Sequence, residues 1–98
     1  MDPSIDEIRR RLRDELPRLR REHHVETLAL FGSRLRGGHR PDSDLDVLVT
    51  FSETPGLMAF LALQYELSDL LGVEVDLVLK RSLKRFIGER VLAEAEPV

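Results

Sequence analysis

One eight-residue segment, 44–51 (DLDVLVTF), constrains the fold more than any other part of the chain. Every second position in it is hydrophobic: Leu45, Val47, Val49 and Phe51. The positions between them begin with Asp44 and Asp46, so the segment alternates with the two-residue period of a β-strand. Successive strand side chains point to opposite faces, so other elements must cover the hydrophobic face while both carboxylates project from the other one. The chain is therefore expected to build a sheet.

The N-terminal region predicts an amphipathic helix. Ser4-x-x-Glu7 is a capping-box pattern, and hydrophobic residues at spacings of three and four follow it as far as Leu19. Pro17 interrupts this stripe because proline removes a backbone donor and clashes with the preceding turn. We therefore expect a kink or a restart of the helix at that residue.

Two further strands and three further helices complete the predicted order. The strands lie at about 27–31 (TLALF) and at 73–80 (VEVDLVLK). A short helix can start after the first of them, a longer one covers 57–71 and ends at Gly72, and a last one runs over about 82–94. The order α-β-α-β-α-β-α predicts an α/β (α+β) fold, with a small mixed three-stranded sheet flanked by helices.

Length, composition and charge narrow the functional class. The 98 residues predict a single domain over 1–98, and 42% hydrophobic residues are ordinary for a globular chain. No hydrophobic run approaches the roughly 20 residues that span a bilayer, and there is no cysteine, so we expect a cytoplasmic protein without membrane contact. A net charge of −3 argues against direct DNA binding. The small core favours a partner subunit.

The segment around the central strand carries a pattern that suits phosphate and metal chemistry. Gly32-Ser33 follows the first strand, where main-chain N–H groups can face an anion, although such a pair alone usually marks only a turn. Asp44 and Asp46 leave the same side of the sheet and repel each other unless a cation lies between them. Carboxylate oxygens suit Mg²⁺. The alternative is an acidic loop that enters a strand at its solvated face.

A third carboxylate can join this pair. Asp76 lies in the last predicted strand and shares a face with Glu74, which competes with it for the same role. If this strand is a neighbour of the strand that carries Asp44 and Asp46, three carboxylates can hold metal ions that stabilise both oxygens of an in-line phosphoryl displacement. The alternative is an exposed acid on a strand.

These residues, in this spacing, resemble the signature of a known superfamily. Gly32-Ser33, then Asp44-x-Asp46 and a hydrophobic strand, look like the Gly-Ser/Asp-x-Asp motif of the DNA polymerase β-like nucleotidyltransferases. The size resembles the minimal nucleotidyltransferases, and the likeness covers nearly the whole chain. Arg36 and Ser43 also match positions where that branch commonly has Arg-Gly and Ser-Asp. The resemblance implies the polymerase β-like nucleotidyltransferase core.

The resemblance also implies a role for each matching residue. Gly32 and Ser33 would hold the terminal phosphates of a nucleoside triphosphate, with Arg36 and Ser43 in support. Asp44, Asp46 and Asp76 would bind Mg²⁺, in two sites, and Asp76 would help to deprotonate the acceptor. Family members usually pair, as antitoxins, with a HEPN-type ribonuclease toxin. The implied reaction is transfer of AMP from ATP to a hydroxyl, in that family a tyrosine of the toxin.

Three other functions stay open at this point. The chain can be a non-catalytic antitoxin that neutralises its toxin by binding alone, although all the motif acids are present. Transfer to a small molecule usually requires a second, substrate-holding domain. Addition of nucleotides to RNA ends is disfavoured by the negative net charge.

Overall fold

The computed structural model describes residues 3–32, 44–80 and 93–98. Its elements are α1 (Ile5–His23), β1 (Val25–Phe31), β2 (Leu45–Phe51), α2 (Leu57–Leu71), β3 (Val75–Leu79) and β4 (Glu96–Pro97). The short helix expected after β1 and most of the last predicted helix lie outside the described residues. So do three residues of the predicted site: Ser33, Arg36 and Ser43.

Helix α1 begins where its capping box predicts and continues through its proline. The Ser4 side chain accepts a hydrogen bond from the Glu7 N–H at 3.2 Å. The helix does not restart at Pro17, contrary to one of the two expected outcomes. Fully buried side chains lie on both sides of the proline, among them Leu12 and Leu19, and their burial outweighs the lost backbone hydrogen bond.

The sheet has the strand order β3-β2-β1-β4. Strand β1 is antiparallel to both β2 and β4, whereas β2 and β3 are parallel. The sheet is therefore mixed, as expected, but the expected number of three strands was wrong, because a fourth strand follows the region of the last predicted helix. The fourth strand, Glu96–Pro97, is too short to show any alternation, and its proline is tolerated because the strand lies at an edge.

Both long helices pack on one face of this sheet. The buried core joins α1 and α2 to the inward-facing positions of all three long strands: Val25, Leu28, Leu30, Leu45, Val47, Val49, Val75 and Leu77. The positions between them along β2 and β3, beginning with Asp46 and Asp76, belong to the other face. The fold thus separates a hydrophobic, helix-covered face from the face that bears the carboxylates.

Helix α2 is buried on one side only. Leu63, Leu67 and Leu71 are fully or almost fully buried against the sheet. Leu57, Met58 and Tyr65 are exposed at 73%, 78% and 68% of their surface. No helix in the described part of the chain is long and hydrophobic enough to cross a membrane.

Candidate functional site

The parallel pairing of β2 and β3 places two of the predicted carboxylates side by side. Asp46 and Asp76 are direct partners in the register, each as the second residue of its strand. Asp44 comes immediately before β2, and Glu74 immediately before β3, where its carbonyl accepts the Leu45 N–H at 2.8 Å. The three predicted carboxylates therefore gather at one end of the sheet, on the face that neither helix covers.

The pKa of Asp46 responds to burial and to the two neighbouring carboxylates. Its side chain is half-buried, and burial raises the pKa of the Asp46 carboxyl above its ordinary value. The negative charges of Asp76 and then Asp44 raise this pKa further, because each disfavours a third negative charge beside it. A bound cation would remove this repulsion.

The three carboxylates are ligands that suit a hard divalent cation, although their side chains do not form a ready metal site. Within residues 3–32, 44–80 and 93–98, no three carboxylate or imidazole side chains converge tightly enough to form a ready metal site. The backbone register, however, pairs Asp46 with Asp76 and leaves Asp44 two residues from Asp46, so the three carboxylates belong to one face at one end of the sheet. Oxygen ligands of this kind suit Mg²⁺, which also binds substrate phosphates. Asp44, Asp46 and Asp76 are the residues that would hold it.

Gly32 lies against the central carboxylate. It follows Phe31, the antiparallel partner of Asp46, and has a φ of +90°, a conformation that other residues rarely adopt. A Cβ atom built on Gly32 would overlap Asp46 Oδ2 and lie 3.0 Å from Asp46 Cγ. The glycine thus makes room for a carboxylate, a contact that its sequence position alone did not indicate.

Sequence reasoning also missed two side chains of α2 that contact the strand of the third carboxylate. Gln64 Oε1 accepts the Leu77 N–H at 2.9 Å, and Ser68 Oγ accepts the Val75 N–H at 3.0 Å. The two accepted N–H groups flank Asp76. The signal available in the sequence is the i, i+4 spacing of two polar residues within a largely hydrophobic helix.

Comparison with known proteins places this chain in a well-defined group. A family model described as a nucleotidyltransferase domain matches residues 5–96. The protein adenylyltransferase MntA of Thermococcus cleftensis is 43% identical over 91 residues, which cover 93% of this chain and 92% of that protein.

Solved structures agree with this match. A chain described as a candidate minimal nucleotidyltransferase superimposes with a TM-score of 0.82 at 40% identity, covering 98% of this chain and 97% of its own. A toxin–antitoxin structure with AMP-PNP gives a TM-score of 0.69 at 27% identity, covering 86% of this chain and 69% of the other. A tri-AMPylated HEPN toxin from Shewanella oneidensis in complex with its MNT antitoxin gives 0.59 at 27% identity, covering 94% and 66%.

Proposed function

This chain belongs to the nucleotidyltransferase domain family, and on that premise we propose that it transfers AMP from ATP to a tyrosine hydroxyl of a partner HEPN-type toxin. In this proposal the chain is the antitoxin, and the modification silences the toxin. The relatives support the choice of reaction and partner, since one is named a protein adenylyltransferase and another is bound to an AMPylated HEPN toxin. ATP as the donor is supported by the relative that carries AMP-PNP.

The observation that carries the proposal is the register of β2 and β3. It sets Asp46 beside Asp76, with Asp44 two residues away, and it leaves all three on the face of the sheet that α1 and α2 do not cover. The charges of Asp44 and Asp76 raise the pKa of Asp46, which is the expected cost of keeping these carboxylates together. Repulsion of this kind is typical of functional sites rather than of structural ones.

Each residue then has a distinct task in the transfer. Gly32 and Ser33 hold the terminal phosphates through main-chain N–H groups and the Ser33 hydroxyl, with support from Arg36 and Ser43. Asp44 and Asp46 would bind Mg²⁺, and Asp76 would complete a second Mg²⁺ site. When bound, Mg²⁺ neutralises charge on the phosphates and lowers the barrier to their displacement.

The reaction balances without any further reactant. The acceptor oxygen forms a bond to the α-phosphorus of ATP, and the bond from that phosphorus to the bridging oxygen of the β-phosphate breaks. Pyrophosphate leaves, and the acceptor proton passes to the Asp76 carboxylate. Positioning and charge neutralisation account for most of such a rate, so a small domain is sufficient.

The exposed side of α2 is the proposed docking surface for the toxin. Leu57, Met58 and Tyr65 are largely exposed, whereas the opposite side of the same helix is packed against the sheet. Large exposed hydrophobic side chains on one helix face are typical of protein interfaces. The double substitution Leu57→Asp with Met58→Asp is expected to weaken toxin binding while leaving ATP binding intact.

The test is adenylyl transfer to a purified HEPN-type toxin with α-labelled ATP and Mg²⁺. Wild-type protein is expected to label the toxin, and Asp44→Asn with Asp46→Asn is expected to abolish the label. Asp14→Asn, at an exposed acid of α1 outside both the site and the proposed docking surface, is the matched control and should retain it. Labelled tyrosine in the digested toxin identifies the acceptor. If the wild type blocks the ribonuclease but transfers no label, the chain is a non-catalytic antitoxin and the enzymatic proposal is wrong.

A further inference from the structure

Strand β3 lies at an edge of the described sheet. On its free side, two side chains of α2 accept the backbone hydrogen bonds that a neighbouring strand would otherwise accept. The parallel pairing of β3 with β2 uses the backbone groups of alternate residues, beginning with the Glu74 carbonyl. The N–H groups of Val75 and Leu77 therefore point away from β2. Ser68 Oγ and Gln64 Oε1 accept them at 3.0 and 2.9 Å.

The spacing of helix and strand makes this pairing possible. Residues four apart in a helix are separated by about 6 Å along its axis, and residues two apart in a strand by about 6.6 Å. Gln64 and Ser68 thus match Leu77 and Val75 in order when α2 and β3 run in opposite directions. The Ser68 hydroxyl also donates to the main-chain carbonyl of Gln64 at 3.1 Å. This bond orients Ser68 Oγ so that it can accept the N–H of the strand.

These bonds flank one of the carboxylates of the site. We infer that Gln64 and Ser68 are positioning residues for Asp76, acting through the backbone of β3; this inference rests on the proposed function. A slip of one residue between β2 and β3 moves Asp76 to the helix-covered face and destroys its pairing with Asp46. The two hydrogen bonds oppose such a slip because each donor has one acceptor at one place.

Hydrophobic packing alone does not give this precision. Leu63, Leu67 and Leu71 bind α2 to the sheet through contacts that are non-directional and tolerate small shifts along the strand. Hydrogen bonds weaken steeply with angle and distance, so they select one alignment. With five residues, β3 has few other backbone bonds with which to hold its register.

The test uses two matched pairs of substitutions. Ser68→Val and Ser68→Thr have the same shape and differ only in the hydroxyl, so their difference isolates the bond to Val75. Gln64→Met removes the acceptor for Leu77, and Gln64→Glu keeps one at the same reach. Thr50→Val is the control, because the Thr50 hydroxyl accepts the Thr27 N–H at 3.1 Å, at the other end of the sheet.

Three measurements separate positioning from general stability. Amide hydrogen exchange at Val75 and Leu77 reports the two bonds directly. Broadening of the Asp76 resonances during a titration with Mn²⁺ reports the affinity of the carboxylate cluster for a metal ion, without any turnover. Steady-state transfer, measured well below the unfolding temperature of each variant, separates kcat from the KM for ATP.

For Ser68→Val and Gln64→Met we expect faster exchange at the two amides, weaker Mn²⁺ broadening at Asp76, and a kcat lower by about ten-fold with the KM for ATP within about two-fold. Ser68→Thr and Gln64→Glu keep an acceptor and should retain most of the wild-type amide protection, Mn²⁺ broadening and kcat. Thr50→Val should lower only the unfolding temperature. Wild-type kcat and Mn²⁺ broadening in Ser68→Val and Gln64→Met would overturn the inference. Should wild-type protein transfer no AMP, the proposed function fails, while amide exchange and Mn²⁺ broadening still decide the role of the two side chains.

Discussion

Replacing Gly32 by alanine tests whether the contact between this residue and Asp46 is needed for activity. The added methyl group would overlap Asp46 Oδ2, and it would lie 3.0 Å from Cγ and 3.3 Å from Cβ of the same side chain. Backbone atoms hold the Cβ in place, so the Asp46 side chain must rotate. Its carboxylate then moves away from its place beside Asp76.

The cost has two parts, which the chain allows to be measured separately. A positive φ costs a residue with a Cβ about 1–2 kcal/mol. Forcing Asp46 off its preferred rotamer adds about 1 kcal/mol. Gly72 provides the control, because it has a φ of +71° but no atom of the residues that the structure describes within 4 Å of an added Cβ. Gly72→Ala should therefore incur only the first cost.

Thermal unfolding and transfer rate together decide the outcome. In a domain of this size each kcal/mol lowers Tm by roughly 4–8 °C, so Gly32→Ala should lower it by roughly 10–20 °C and Gly72→Ala by less. A displacement of about 1 Å in a catalytic group costs about 100-fold in rate, and we expect that loss only for Gly32→Ala. If folded Gly32→Ala protein transfers AMP at the wild-type rate, the contact with Asp46 has no catalytic importance.

Three other substitutions give separable results. Asp46→Asn should abolish transfer and yet raise the free energy of unfolding at neutral pH, because it removes a negative charge that burial and two neighbouring carboxylates disfavour in the folded state. The raised pKa also makes the folded wild-type protein bind a proton more readily than the unfolded chain. Its stability should therefore increase as the pH falls through the raised pKa of Asp46 to the ordinary aspartate pKa, and denaturant titrations should show no such increase for Asp46→Asn. Asp76→Asn should abolish transfer whereas Glu74→Gln should largely retain it; the reverse result would assign the third carboxylate to Glu74. Leu67→Ala, at a fully buried core position, should lower the free energy of unfolding by about 3 kcal/mol, measured by urea denaturation, and a loss below about 1 kcal/mol would contradict the packing of α2.

Much of the fold followed from short-range patterns. The alternation over 44–51 predicted β2 and its two faces, and the capping box predicted the start of α1. The strand predicted at 73–80 was confirmed over Val75–Leu79. These predictions succeed because side-chain direction in a strand or helix depends only on local backbone geometry.

Other features were beyond local reasoning. Strand β4 has two residues and no periodicity, and it forms only because β1 offers Ala29 and Leu30 as partners. The continuity of α1 through Pro17 depends on burial against the sheet, which a local rule for proline does not include. In both cases, contacts between residues distant in sequence outweighed the local preference.

The candidate site divides in the same way. From the sequence alone came the identity of its carboxylates, their common face within each strand, and a glycine beside them. Tertiary structure alone decided that Asp46 and Asp76 are register partners, that Gly32 yields its side-chain space to Asp46, and that Gln64 and Ser68 bond the amides flanking Asp76. The physical reason is that residue type and periodicity are local properties, whereas register and close approach arise when separate segments pack together.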